Sequence, residues 1–154
     1  MIKTRKRMTL CFALLAVNLA FIWGNSLMPG QISAAFSQWV GKLMAILLPG
    51  QIQAPGMGHG LLRKLAHFTE FCCLGMCLCW LAGMLQKRPW LSVVGGFLAA
   101  CMDELIQCFV PDRGPAITDV LIDTLGVILG VALLFAGHAR KRRKNAKHLE
   151  ETTV

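Results

Sequence analysis

Seven ionisable residues interrupt runs of sequence that are otherwise almost wholly apolar: Lys64, His67 and Glu70 in one, Asp103 and Glu104 in a second, Asp119 and Asp123 in a third. A charged group at the centre of a membrane-spanning segment costs roughly 2.5–3.5 kcal/mol on insertion scales. Groups retained at that cost mark a candidate site. Carboxylates held in unlike environments suit general acid–base work, which makes His67, Glu70, Asp103 and Glu104 the candidate catalytic groups. Lys64 and Arg113 suit a phosphate or carboxylate, and Gln107, Asp119 and Asp123 complete a candidate substrate-binding set. Asp103, Asp119 and Asp123 suit a hard divalent cation, and an oxygen-rich set with one histidine favours Mg²⁺ or Ca²⁺ over Zn²⁺. The sequence specifies neither a metal nor a cofactor.

The elements that must position these groups follow from composition. The chain has 154 residues, 55% of them hydrophobic and 16% charged, against about 45–50% and about 25% for an ordinary soluble domain. This excludes a disordered chain and argues against a nucleic-acid-binding globule, despite the net charge of +8. Runs at 8–28, 65–86, 89–110 and 117–137 reach the ~20 apolar residues that a spanning helix needs. Pro29, Pro89 and Pro111 fall at their edges, where a missing backbone donor does least harm. The expected fold is all-α: an integral membrane four-helix bundle over residues 1–137, followed by a basic tail, 138–154. Between the first two runs, Ile32, Phe36, Trp39, Val40, Leu43 and Leu47 recur at helical spacing opposite Ser33, Ser37, Gln38 and Lys42. This stretch, 32–48, predicts an amphipathic helix lying on the membrane surface, with 49–60 returning the chain to the bilayer.

Twelve of the sixteen basic residues lie before the first run, between the second and third, or after the fourth. The positive-inside rule then predicts a multi-pass protein of the cell membrane with both termini cytoplasmic. Its partners are the bilayer and its anionic headgroups, and no nucleic acid is expected. Residues 24–27 lack a small-x-small cleavage pattern, so the first run reads as a retained helix. The seven cysteines all fall within the predicted spans and predict packing residues, without a disulfide framework.

Counting along alternating helices puts Glu70, Asp103, Glu104 and Asp123 at one depth, roughly 8–10 Å below the outer face. At ~100° per residue, three stripes form: Lys64, His67, Phe71, Gly75 and Ala82; Ser92, Gly96, Ala100, Asp103 and Gln107; Asp119, Asp123, Gly126 and Gly130. Glu70 flanks the first stripe and Glu104 the second. Small residues let helix backbones approach, so the stripes should face one another and open outward into a polar cup. Glu70, Asp103, Glu104, Asp112, Asp119 and Asp123 outnumber Arg63, Lys64 and Arg113 by three. At least one acid is therefore expected to be protonated, to pair with a protonated His67, or to hold a cation.

These motifs resemble the VanZ-like family, named for a teicoplanin-resistance protein of Gram-positive bacteria. The pattern K-x-x-H-F-x-E-[FY] is met by Lys64, His67, Phe68, Glu70 and Phe71. The pattern D-E-x-x-Q-x-F-x-P-x-R is met by Asp103, Glu104, Gln107, Phe109, Pro111 and Arg113. A closing pattern is met at Asp119, Gly126 and Gly130, with Asp123 where asparagine is usual, and the stretch 114–118 lacks the family's frequent serine. Asn25 to Pro29 resembles the end of the family's first helix. The resemblance implies a compartment and a resistance phenotype and leaves the chemistry open.

Two functions compete, and the sequence leaves open whether the protein is an enzyme. One is an outward-facing intramembrane site for an amphiphilic or lipid-linked envelope substrate, contributing to teicoplanin resistance. The other is a non-catalytic module that captures or excludes a lipophilic glycopeptide. An ion-coupled transporter ranks third, because 71–86, 89–102 and 124–137 contain no acid or histidine to relay a proton.

Overall fold

The computed structural model describes residues 2–47 and 59–152. The return segment expected over 49–60 lies almost wholly outside them. Five helices follow in order: α1 (Ile2–Ser26), α2 (Gly30–Leu47), α3 (His59–Met84), α4 (Trp90–Gln107) and α5 (Ile117–Thr152), with no strand among the described residues. Four of them are long and apolar enough to cross a bilayer, over Thr4–Ser26, Leu61–Met84, Trp90–Gln107 and Ile117–Arg140. The protein is an all-α, multi-pass membrane protein, and α2 is the additional helix that follows the first span.

The helix ends differ from the apolar runs for physical reasons. α4 stops at Gln107 because the amides of Phe109 and Val110 turn to the carbonyls three residues back, Ile106 and Gln107. Pro111 follows at once, and a residue before proline is driven out of the helical region. α3 ends in a Schellman turn: the amide of Lys87 reaches the Ala82 carbonyl at 2.8 Å, and Gln86 takes a left-handed φ of 54°. α5 does not stop with its apolar run at Gly137 but continues to Thr152. The Ala, Arg, Lys, Leu and Glu residues of the basic tail are all good helix formers, so the expected tail extends the last span as helix.

α3 and α5 form the tightest seam. A Cβ added at Gly75 would strike the Val127 backbone; one at Gly126 would strike the Phe68 carbonyl; one at Gly130 would strike the Cys72 carbonyl. Residue numbers rise together along this seam, so α3 and α5 run parallel, as α1 and α4 do in the opposite sense. A fourth tight glycine is Gly96 of α4, where a Cβ would meet Val127 at 2.5 Å. The core is correspondingly slim: Cys11, Leu15 and Ile22 of α1, Phe71 and Leu74 of α3, Ala100 of α4 and Val127 of α5. Only 17–33% of each spanning stretch is buried, and Phe12, Val17, Phe21, Phe97, Leu125 and Phe135 point outward. An exposed apolar surface of that extent requires lipid around it.

α2 is anchored at its start. The Gly30 amide donates to the Pro111 carbonyl at 3.2 Å, and Gln31 donates to Asp112 at 3.1 Å. Gly30 leaves no room for a side chain against Asp112. Asp112 itself adopts φ 58°. Ile32, Trp39 and Ile46 are exposed at seven-residue spacing along α2, one apolar stripe of an amphipathic helix. All seven cysteines are free thiols. Six lie on the spanning helices, while Cys108 is the exposed residue that caps α4.

Candidate functional site

The N-terminal ends of α3 and α5 and the C-terminal ends of α1 and α4 meet at one end of the bundle. The stripe expected on α4 is the one that is buried: Ser92, Gly96, Ala100, Asp103 and Gln107, joined by Glu104. On α3 the matching face buries His67, Phe71 and Gly75, and on α5 it buries Asp123, Gly126 and Gly130.

Asp103 is the hub. It is fully buried; its Oδ2 accepts a hydrogen bond from Gln107 Nε2 at 2.8 Å and lies 3.8 Å from His67 Nδ1. Gln107 also donates to Ser26 Oγ of α1 at 3.4 Å, so the α1 end fixes the amide that fixes Asp103. Asp123, one turn further along α5 than Asp119, is 1% exposed. One ligand-type atom each from His67, Asp103 and Asp123 lies within 4.8 Å of the others.

Glu104 has two tasks. Its Oε2 accepts the Ala116 backbone amide at 2.7 Å, satisfying one of the open donors at the start of α5. Its Oε1 is buried without a hydrogen-bond partner. Above it, Asp119 in the first turn of α5 accepts Lys64 at 2.8 Å, and Arg63 stands at 3.9 Å. Arg63, Lys64, His67, Glu104, Asp119, Ile122 and Asp123 line one small cleft of about 10 Å³. That is room for roughly one water molecule.

Glu70 and Arg113 stand apart from this cleft. Glu70 turns to α1, where Asn25 Nδ2 donates to its Oε1 at 3.3 Å. Arg113 follows α4 and donates to the Met28 carbonyl at 3.1 Å and the Asn25 carbonyl at 3.0 Å, closing the open end of α1. Burial and the neighbouring Arg63 push the Arg113 guanidinium below its usual value, against the opposing pull of Asp103 and Glu104. It stays charged at neutral pH.

Most candidate residues therefore converge: Lys64, His67, Glu104, Asp119 and Asp123 line the cleft, with Asp103 and Gln107 directly behind. Glu70 and Arg113 serve the α1 seam instead. The α1 contributions, Asn25 and Ser26, stood out in the sequence as part of the Asn25–Pro29 stretch that resembles the end of the family's first helix, without a role assigned to either. A larger recess of about 560 Å³ opens at the opposite end, lined by Trp80, Met84, Lys87, Phe135 and His138 among others. It holds none of the candidate groups.

These features define a membrane protein with four helices apolar enough to span, three of which, α3, α4 and α5, line one small cleft with polar residues. The model of the VanZ/LLP1 family matches residues 8–138, and the chain belongs to that family. No curated protein and no solved structure matches it.

Proposed function

We propose that the cleft is an outward-facing site in the cell envelope for an amphiphilic, lipid-linked substrate, and that the protein contributes through it to glycopeptide (teicoplanin) resistance. The observation that carries this reading is the convergence of charged and unpartnered groups from three helices beneath a cationic rim. His67 Nδ1, Asp103 Oδ1, Glu104 Oε1 and Asp123 Oδ1 are all buried without a hydrogen-bond partner. Leaving such atoms unpaired costs about 1–3 kcal/mol each, a cost expected where function requires it. Lys64 and Arg63 at the rim would anchor a phosphate or carboxylate head, while the apolar part lies among the helices. His67 and Glu104 are the acid–base pair; Asp103 and Gln107 orient His67; Asp119 and Asp123 orient the head; Glu70 and Arg113 hold α1 in register. The distribution of basic residues supports cytoplasmic termini and contact with anionic headgroups.

One observation favours a second reading, a non-catalytic module that captures or excludes the glycopeptide. The cleft admits one water-sized occupant, smaller than any substrate head.

The test is to replace Glu104 by Gln and His67 by Ala, and to measure membrane accumulation alongside teicoplanin susceptibility. Normal accumulation with lost resistance supports the site. Lost accumulation assigns these residues to scaffolding. Retained resistance in both variants leaves only the capture module, centred elsewhere.

A further inference from the structure

We propose that His67, Asp103 and Asp123 form a binding site for one divalent transition-metal cation. The three residues come from α3, α4 and α5, and one ligand atom from each lies within 4.8 Å of the other two. They are 7%, 0% and 1% exposed. Independently, each presents a buried atom with no hydrogen-bond partner: His67 Nδ1, Asp103 Oδ1 and Asp123 Oδ1. Two buried carboxylates beside each other repel, and among the described residues no cationic side chain pairs with Asp123. Lys64 is taken by Asp119 at 2.8 Å, which also removes Asp119 from the ligand set. A divalent cation between Asp103 and Asp123, with neutral His67, makes the cluster electrically neutral. That is the condition under which buried charge is tolerated.

The dimensions agree. Ligand bonds of about 2.0–2.2 Å place adjacent donors about 3.0–3.6 Å apart. His67 Nδ1 and Asp103 Oδ2 stand at 3.8 Å, so a contraction of a few tenths of an ångström closes that edge. The cleft that His67 and Asp123 line has room for one small occupant. Gln107 holds Asp103 at 2.8 Å, the kind of outer contact that orients a ligating carboxylate. Glu104 Oε1 is a further unpartnered oxygen on the same cleft. With Asp119 held by Lys64, the set expected from the sequence loses an oxygen donor. One imidazole with two carboxylates then suits Mn²⁺ or Zn²⁺ in place of the Mg²⁺ or Ca²⁺ expected there, Ca²⁺ taking six to eight oxygens.

This proposal rests on the same cleft and reassigns His67, Asp103 and Asp123 from acid–base and orienting roles to ligands, leaving Glu104 as the acid–base group. It is measured without substrate, so it can fail independently of the amphiphile reading. The full chain in lipid nanodiscs, dialysed against chelator, is titrated with Mn²⁺ and followed by electron paramagnetic resonance, with Zn²⁺ as competitor. The expected result is one Mn²⁺ per chain, displaced by Zn²⁺, with a pulsed-resonance coupling to a single imidazole nitrogen. Asp123→Asn should weaken binding at least tenfold, and Gln107→Ala by roughly 10–100-fold. Lys64→Ala, which removes the anion anchor, should bind at least as tightly as the parent. Absence of binding to the parent chain, binding without nitrogen coupling, or undiminished binding to Asp123→Asn would each overturn the site. The nitrogen coupling is read on the parent chain, so it decides the matter even if a variant does not fold.

Discussion

At the scale of single residues, the carboxylates divide into those that hold structure and those left with unspent polar atoms. Glu104 does both, which makes its variants informative. Glutamine retains an oxygen for the Ala116 amide, so Glu104→Gln should change stability by under about 1 kcal/mol, whereas Glu104→Ala removes the cap and should cost about 1–2 kcal/mol. Thermal unfolding in one detergent compares the two. The Lys64–Asp119 pair is half-exposed, with side-chain exposures of 37% and 17%. Lys64→Ala should therefore move the melting curve by no more than about 1 kcal/mol. A loss of resistance without that loss of stability would place Lys64 in function. The stripes drawn at ~100° per residue found His67, Asp103 and Asp123, because helical turn is a fixed quantity. It could not find the Asn25–Glu70 bond or the Glu104–Ala116 cap, because each depends on how two helices are rotated against each other.

Among the elements, periodicity was the reliable guide and punctuation the weaker one. The α4 stripe from Ser92 to Gln107 follows from its spacing alone, and so do Gly126 and Gly130 as the close-contact face of α5. Gly137 and the basic run after it suggested an end, yet nothing crowds Gly137, and good helix formers carry α5 onward. These two kinds of glycine give opposite expectations. Gly130→Val should abolish the α3–α5 seam and with it membrane accumulation. Gly137→Ala should be neutral or stabilising by about 0.5–1 kcal/mol; immunoblots and thermal melts distinguish them. At the turn after α3, Gln86 occupies a left-handed position that costs a non-glycine residue roughly 1–2 kcal/mol. Gln86→Gly should raise the unfolding midpoint, and a fall would show that the Gln86 side chain contributes more than its backbone strain costs.

For the whole molecule, the sequence could state that four runs are long and apolar enough to cross, and that three of them carry their costly groups near one end, since both are properties of single segments. It could not state that the cleft would be nearly closed, because that depends on the sum of all the close approaches. Parallel α3 and α5 carry a further consequence. Their backbone dipoles lie side by side and point the same way, an arrangement that repels. The positive end of α5 carries Asp119 in its first turn and Glu104 on the Ala116 amide. Asp119 also pairs with Lys64 of α3, and an anion at a helix start stabilises by about 0.3–1 kcal/mol. The acids, one on α4 and one on α5, therefore offset the repulsion between α3 and α5, so neutralising both should loosen those two helices from one another.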